Sequence, residues 1–159
     1  MLPFRKILCP TDFSEPSYEA LKVANEMALQ FSAELCLINI VHLIPTIAAP
    51  IGPLGATAAP AVFNTQSYRD ELEKYARKTL EKVIKERVSK DVRVRSIVAY
   101  GSAADEILRI ADEEKVDLIV IATHGRTGFK HFIFGSVAEK VVRLSPHPVL
   151  SIRAAKAEG

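Results

Sequence analysis

Apolar positions along the chain alternate between short continuous runs and helical spacing, which reads as strands alternating with helices. Strand candidates are Lys6–Pro10, Glu34–His42, Val92–Ala99, Asp117–Ala122 and Val149–Arg153. Leu35–Val41 and Leu118–Ala122 are almost wholly apolar, as strands covered on both faces require. Ser14 can cap a first helix with Pro16 in its first turn, and Leu21, Ala24, Ala28 and Phe31 form its apolar stripe. A second helix, about 67–88, has Leu72, Tyr75, Ala76, Leu80, Val83 and Ile84 as its buried face. Asp70/Lys74, Glu73/Arg77 and Glu81/Lys85 are its favourable i,i+4 pairs, and its charges read as a solvated face. Gly101-Ser102 opens a third helix, with Asp105 three residues after the cap and Ile107, Leu108 and Ala111 as its stripe. Ser136 with Glu139 fits a capping box, so a fourth helix begins at Ser136 and runs to the Ser145–Pro148 turn.

Five strands alternating with four helices predict one three-layer α/β/α domain over 1–159, with a parallel sheet and right-handed crossovers. The most economical strand order is 3-2-1-4-5, a Rossmann-like arrangement whose winding reverses between the first and fourth strands. Ligands of such sheets bind at that reversal, beyond the carboxyl ends of the strands. Pro10, Thr11 and Asp12 end the first strand, and Ala122, Thr123, His124 and Gly125 end the fourth. Gly125, Gly128 and Gly135 let the backbone approach a ligand closely. The helix start at Ser136 offers free N–H groups, so the junction is suited to an anion. The plain alternative is a tight connection that binds nothing.

Composition narrows this further. A net charge of +2 without a basic stripe gives no indication of nucleic acid. The uncharged stretch 43–68 carries four prolines and two glycines, which argues against a membrane helix. Its core, 43–66, reads as a long Pro/Ala-rich loop that leaves the second strand beside the crevice, over or next to any ligand. Cys9 and Cys36 fall in strand candidates, one late and one early, about 10 Å apart along the strands and too far for a bridge. Buried thiols without an export signal suggest the cytoplasm. The four histidines show no metal-ligand spacing. Neither G-x-x-x-x-G-K-[ST] nor an early G-x-G-x-x-G is present, and no nucleophile elbow precedes the first helix.

Lys6-Ile-Leu-Cys-Pro-Thr-Asp-Phe-Ser14, Thr123-His-Gly-Arg-Thr-Gly128, Gly135-Ser-Val-Ala-Glu139 and Ser145-Pro-His-Pro-Val149 together resemble the universal stress protein family. The resemblance runs nearly end to end and is weakest across 43–66. It implies a nucleotide-binding alpha-hydrolase-like fold. The ATP-binding branch carries G-x2-G-x9-G-[S/T]; here Gly125, Gly135 and Ser136 match, and Ala122 replaces the first glycine, where its methyl can crowd ribose or phosphate. Carried over by position, Pro10, Thr11 and Asp12 border the adenosine and Ile40 walls the adenine. The loop Ala122, Thr123, His124, Gly125, Arg126, Thr127, Gly128 holds ribose and phosphates, and Ser136, Val137 and Ala138 offer backbone N–H groups. Asp12 meets Mg²⁺ or a ribose hydroxyl, or is only a turn residue. Arg126 and Lys130 either neutralise phosphate or are solvated loop charges.

The leading expectation is a small cytoplasmic ATP-dependent switch in stress response, not an enzyme, acting on protein partners that the sequence does not identify. A slow ATPase and a scaffold with an empty site are the alternatives. In the 3-2-1-4-5 order the strand 149–153 is an apolar edge, and edges of this kind are covered in soluble proteins. A homodimer pairing this strand with its copy about a two-fold axis provides the cover.

Overall fold

The computed structural model describes residues 2–42, 65–125 and 134–154. Its elements are β1 (Lys6–Pro10), α1 (Glu15–Phe31), β2 (Glu34–Val41), α2 (Thr65–Arg87), β3 (Arg93–Tyr100), α3 (Ala103–Glu114), β4 (Leu118–Ala122), α4 (Ser136–Leu144) and β5 (Val149–Ile152). All strands pair in parallel, in the order β3-β2-β1-β4-β5. Ser14 caps α1 and accepts the Ser17 N–H, with Pro16 in the first turn as expected.

Side chains alternate across the sheet and build one apolar cluster on each face. Ile7, Cys9, Leu35, Leu37, Leu118 and Val120 meet Leu21 and Ala24 of α1 and Leu80 and Val83 of α2. Leu8, Cys36, Ile38, Ile119 and Ile121 meet Ile107 and Ile110 of α3 and Val141 of α4. The two cysteines therefore lie on opposite faces. Their separation along the strands is far smaller than expected, because Leu8 is the register partner of Cys36, which leaves Cys9 only one residue out of step. Opposed side-chain directions, not distance, keep them apart, and both are free and buried. Burial raises the Cys9 thiol to about 12.

Two expectations for α2 fail. Of the three i,i+4 pairs only Glu73–Arg77 forms, at 2.6 Å, and Asp70 instead accepts from Gln66 at 2.9 Å. Tyr75 is 66% exposed, because α2 joins the core cluster through Leu80 and Val83. Ser102 caps α3 without a side-chain bond to the helix N–H groups, so no capping box forms there. β3 and β5 are the sheet edges.

Candidate functional site

β1 stops at Pro10 and the chain enters α1 through a turn held by side chains. The Thr11 hydroxyl oxygen accepts the Phe13 N–H at 3.0 Å, and it lies 2.9 Å from Ser17 Oγ. Ser17 Oγ donates to the Ser14 carbonyl at 2.8 Å, so Thr11 supplies the proton in the hydroxyl pair. Asp12 Oδ1 accepts the Ser14 N–H at 3.0 Å and the Ser14 hydroxyl. These bonds hold Phe13 at φ 63°, a conformation that costs a bulky residue about 1–3 kcal/mol. From β2, Asn39 Nδ2 donates to the Thr11 carbonyl at 2.9 Å.

The fourth strand brings in the start of α4. Thr123 is buried, and its N–H donates to Ile152 O at 2.9 Å. Its carbonyl accepts the Gly135 N–H at 2.6 Å, which stitches the helix start to the strand end. Thr123 Oγ1 also lies 2.9 Å from His124 Nδ1. The expected capping box does not form: Gly135 is the N-cap, Ser136 is the first helical residue, and no side chain caps the helix. Glu139 reaches forward to Arg143 at 2.9 Å instead of back to the cap. The N–H groups of Ser136, Val137 and Ala138 consequently have no hydrogen-bond partner among the described residues.

Close approach explains two glycines. A Cβ on Gly125 would overlap Asp12 Oδ2, whose carboxylate is tethered through its other oxygen. A Cβ on Gly135 would sit 3.3 Å from the Thr123 carbonyl. The β1–α1 turn and the β4–α4 junction thus face one another across a single gap.

That gap is a cavity of about 520 Å³. Pro10, Thr11, Asp12, Ile40, Ala122, Thr123, His124, Gly125, Gly135, Ser136, Val137 and Ala138 all line it. Arg126, Thr127 and Gly128, with Lys130 and loop residues 43–64, lie outside the described residues. The methyl of Ala122 packs into the α1-side cluster, away from the face that carries α4.

The sheet register supplies a further polar edge. Ile38 directs its carbonyl to β1, where it accepts the Thr11 N–H at 2.8 Å. Two residues on, the Ile40 N–H and carbonyl point the same way, but β1 has ended and neither has a partner among the described residues. Ile40 lines the cavity, so this adjacent donor and acceptor belong to one of its lining residues.

Sequence reasoning missed Asn39, Leu72, Tyr75 and Ile107 as lining residues. Asn39 had a visible signal, being the one amide in the apolar run Leu35–Val41. Leu72 and Tyr75 did not, since periodicity cannot tell a core face from a cavity wall.

The family model described as the universal stress protein family matches residues 3–153. Universal stress protein MJ0531 of Methanocaldococcus jannaschii is 33% identical over 155 residues, covering 98% of this chain and 85% of that protein. The solved structure of hypothetical protein MJ0577, from the same organism, superposes with a TM-score of 0.77 at 28% identity, covering 96% of this chain and 98% of that one. A universal stress protein from Archaeoglobus fulgidus, solved in complex with dAMP, has the same fold at TM-score 0.54 and 20% identity, covering 96% and 99%.

Proposed function

The chain belongs to the universal stress protein family, and on that footing we propose that it is an ATP-binding switch whose nucleotide lies across the carboxyl edge of the sheet. The observation that carries this reading is the uncapped start of α4. Three N–H groups at Ser136–Ala138, held beside Gly125 and Gly135, form a cradle for phosphate oxygens. The Ile40 peptide supports the base as adenine: one donor next to one acceptor matches the N1 acceptor and N6 amino donor of that ring. Apolar walls from Ile40, Ile107 and Val137 suit a planar ring. The inward turn of the Ala122 methyl leaves the α4 side of the gap open. The Archaeoglobus fulgidus protein with dAMP is a precedent within the fold.

Mg²⁺ fits the same site. It is held by one or two carboxylates together with substrate phosphates, and Asp12 is the carboxylate at the cavity among the described residues. When bound, the ion neutralises phosphate charge. Asp12 holds it or a ribose hydroxyl, and Pro10, Thr11, Thr123 and His124 frame the sugar. Arg126, Thr127 and Gly128, outside the described residues, are proposed for the same ribose and phosphate role. In this reading the protein is a cytoplasmic homodimer paired through β5, and its nucleotide state sets which proteins it meets.

Identification of the nucleotide retained on purification tests the proposal. Retained ATP supports the switch, ADP or AMP points to turnover, and an empty protein that also fails to bind added ATP in calorimetry defeats it.

A further inference from the structure

Asn39 is the one buried amide at the cavity among the described residues, and its orientation is set without reference to any ligand. The atom 2.9 Å from the Thr11 carbonyl faces an acceptor, so it must be the amide nitrogen. The side-chain oxygen is thereby turned the other way. Asn39 is 7% exposed, yet no sealed, unpartnered side-chain polar atom exists among the described residues. Since Oδ1 makes no hydrogen bond among the described residues, its small exposure must open on the cavity that Asn39 lines. A nearly buried acceptor thus waits on the α1/α2 side of the gap, across the sheet edge from Ile40.

We propose that Asn39 is a specificity-determining residue that reads a hydrogen-bond donor, a hydroxyl or an amino group, on the bound nucleoside. The proposal rests on the nucleotide reading above and deepens it. An acceptor in this position rewards a ligand N–H or O–H and penalises a carbonyl or a missing group, because Oδ1 then loses water without gaining a partner. Rotation of the amide cannot accommodate the wrong ligand, since it would place Oδ1 against the Thr11 carbonyl. The same bond fixes the turn that carries Asp12, so the residue both positions and reads.

The donors that ATP offers are the 2′-hydroxyl, the 3′-hydroxyl and the 6-amino group, the last of which also meets the Ile40 peptide in the reading above. Affinities for ATP, 2′-dATP, 3′-dATP and ITP, measured by calorimetry on the full chain, separate them. The parent is expected to bind at least one analogue about tenfold more weakly than ATP. Asn39→Leu should erase that ratio for a deoxy analogue, with ATP falling to the level of the analogue, and should reduce it for ITP, where Ile40 keeps a share. Asn39→Asp keeps an oxygen toward the cavity but loses the donor to Thr11, so it should weaken all four ligands and retain part of the ratio. Equal binding of all four nucleotides by the parent overturns the inference. Ratios that are the same in Asn39→Leu as in the parent overturn it too. Failure of the parent to bind any of the four removes the nucleotide reading itself.

Discussion

Replacing Gly135 with aspartate sets helix capping against anion binding at one position. The backbone there has φ −74° and ψ 159°, which an aspartate adopts without strain. Aspartate is also a better N-cap than glycine by a few tenths of a kcal/mol. Against this, its Cβ sits 3.3 Å from the Thr123 carbonyl and must be relieved by a small shift, at a cost of about 1 kcal/mol. The ligand-free protein should therefore change stability by no more than about 1 kcal/mol. Binding should change far more. The new carboxylate would occupy the very N–H groups offered to phosphate and would place a like charge about 4 Å away. At an effective dielectric constant of about 20 that repulsion is about 4 kcal/mol, and salt screening at an open site reduces it to about 2. Affinity for ATP should drop about 30-fold or more. Calorimetric titration with ATP and a thermal melt without it measure the two effects separately. Gly135→Asn repeats the steric change and the cap without the charge, and should lose clearly less affinity. Equal losses for the two variants, or ATP binding by Gly135→Asp within about threefold of the parent, would refute the electrostatic argument.

Gly125→Ala should displace the Asp12 carboxylate and cut ATP affinity about tenfold in Mg²⁺ but less in EDTA; an unchanged Mg²⁺ response would show that Asp12 is only a turn residue. Burial by itself would raise the Glu114 carboxyl, but hydrogen bonds from Lys6 and Arg95 outweigh it and hold it below 4.5. The stability this carboxylate contributes is therefore complete above pH 4.5 and lost as pH falls through its folded value. Glu114→Gln should flatten the acid limb of a urea-denaturation series, and superimposable acid limbs would count against the assignment. With its thiol at about 12, Cys9 should resist Ellman's reagent at pH 8 until urea unfolds the chain; rapid labelling of the native protein would contradict its burial. Leu150→Lys should yield monomers in light scattering at micromolar concentration, and a variant that stays dimeric would move the interface away from β5.

The strand order was legible because Leu35–Val41 and Leu118–Ala122 are apolar runs of strand length, and helical spacing between the runs demands crossovers. The start of α1 was legible for a local reason, the Ser14 side chain bonding three residues ahead. The start of α4 at Ser136 was legible, but its cap was not. Ser136 and Glu139 have the composition of a capping box, but the Gly135–Thr123 bond, made across the loop, decides where the helix begins. Tertiary pairing settled the cysteines as well, since the observed register leaves Cys9 one residue out of step with Cys36 instead of the roughly three that about 10 Å implies. Tyr75 shows the limit of periodicity: it falls in the pattern that marks core residues, yet it is exposed and lines the cavity. Asn39 lay in plain view, but its significance depends on a carbonyl 28 residues away.

The central place of β1 has a consequence for the order of assembly. This strand pairs on one side with β2, where Lys6 meets Glu34, and on the other with β4, where Ile7 meets Leu118. The first partner follows after a single crossover helix, α1; the second arrives only when most of the chain has left the ribosome. Until then β1 exposes one hydrogen-bonding flank, and the β1–α1 turn faces open solvent rather than Gly125. The β1–β2 and β4–β5 pairings have the lowest sequence separation, and the long β1–β4 loop is the costliest to close. No half of the crevice is complete without the other, so a ligand held there acts as a reporter of finished folding and a latch on it. It ties the first residues of the chain to the last third and, by mass action, raises the free energy of their separation.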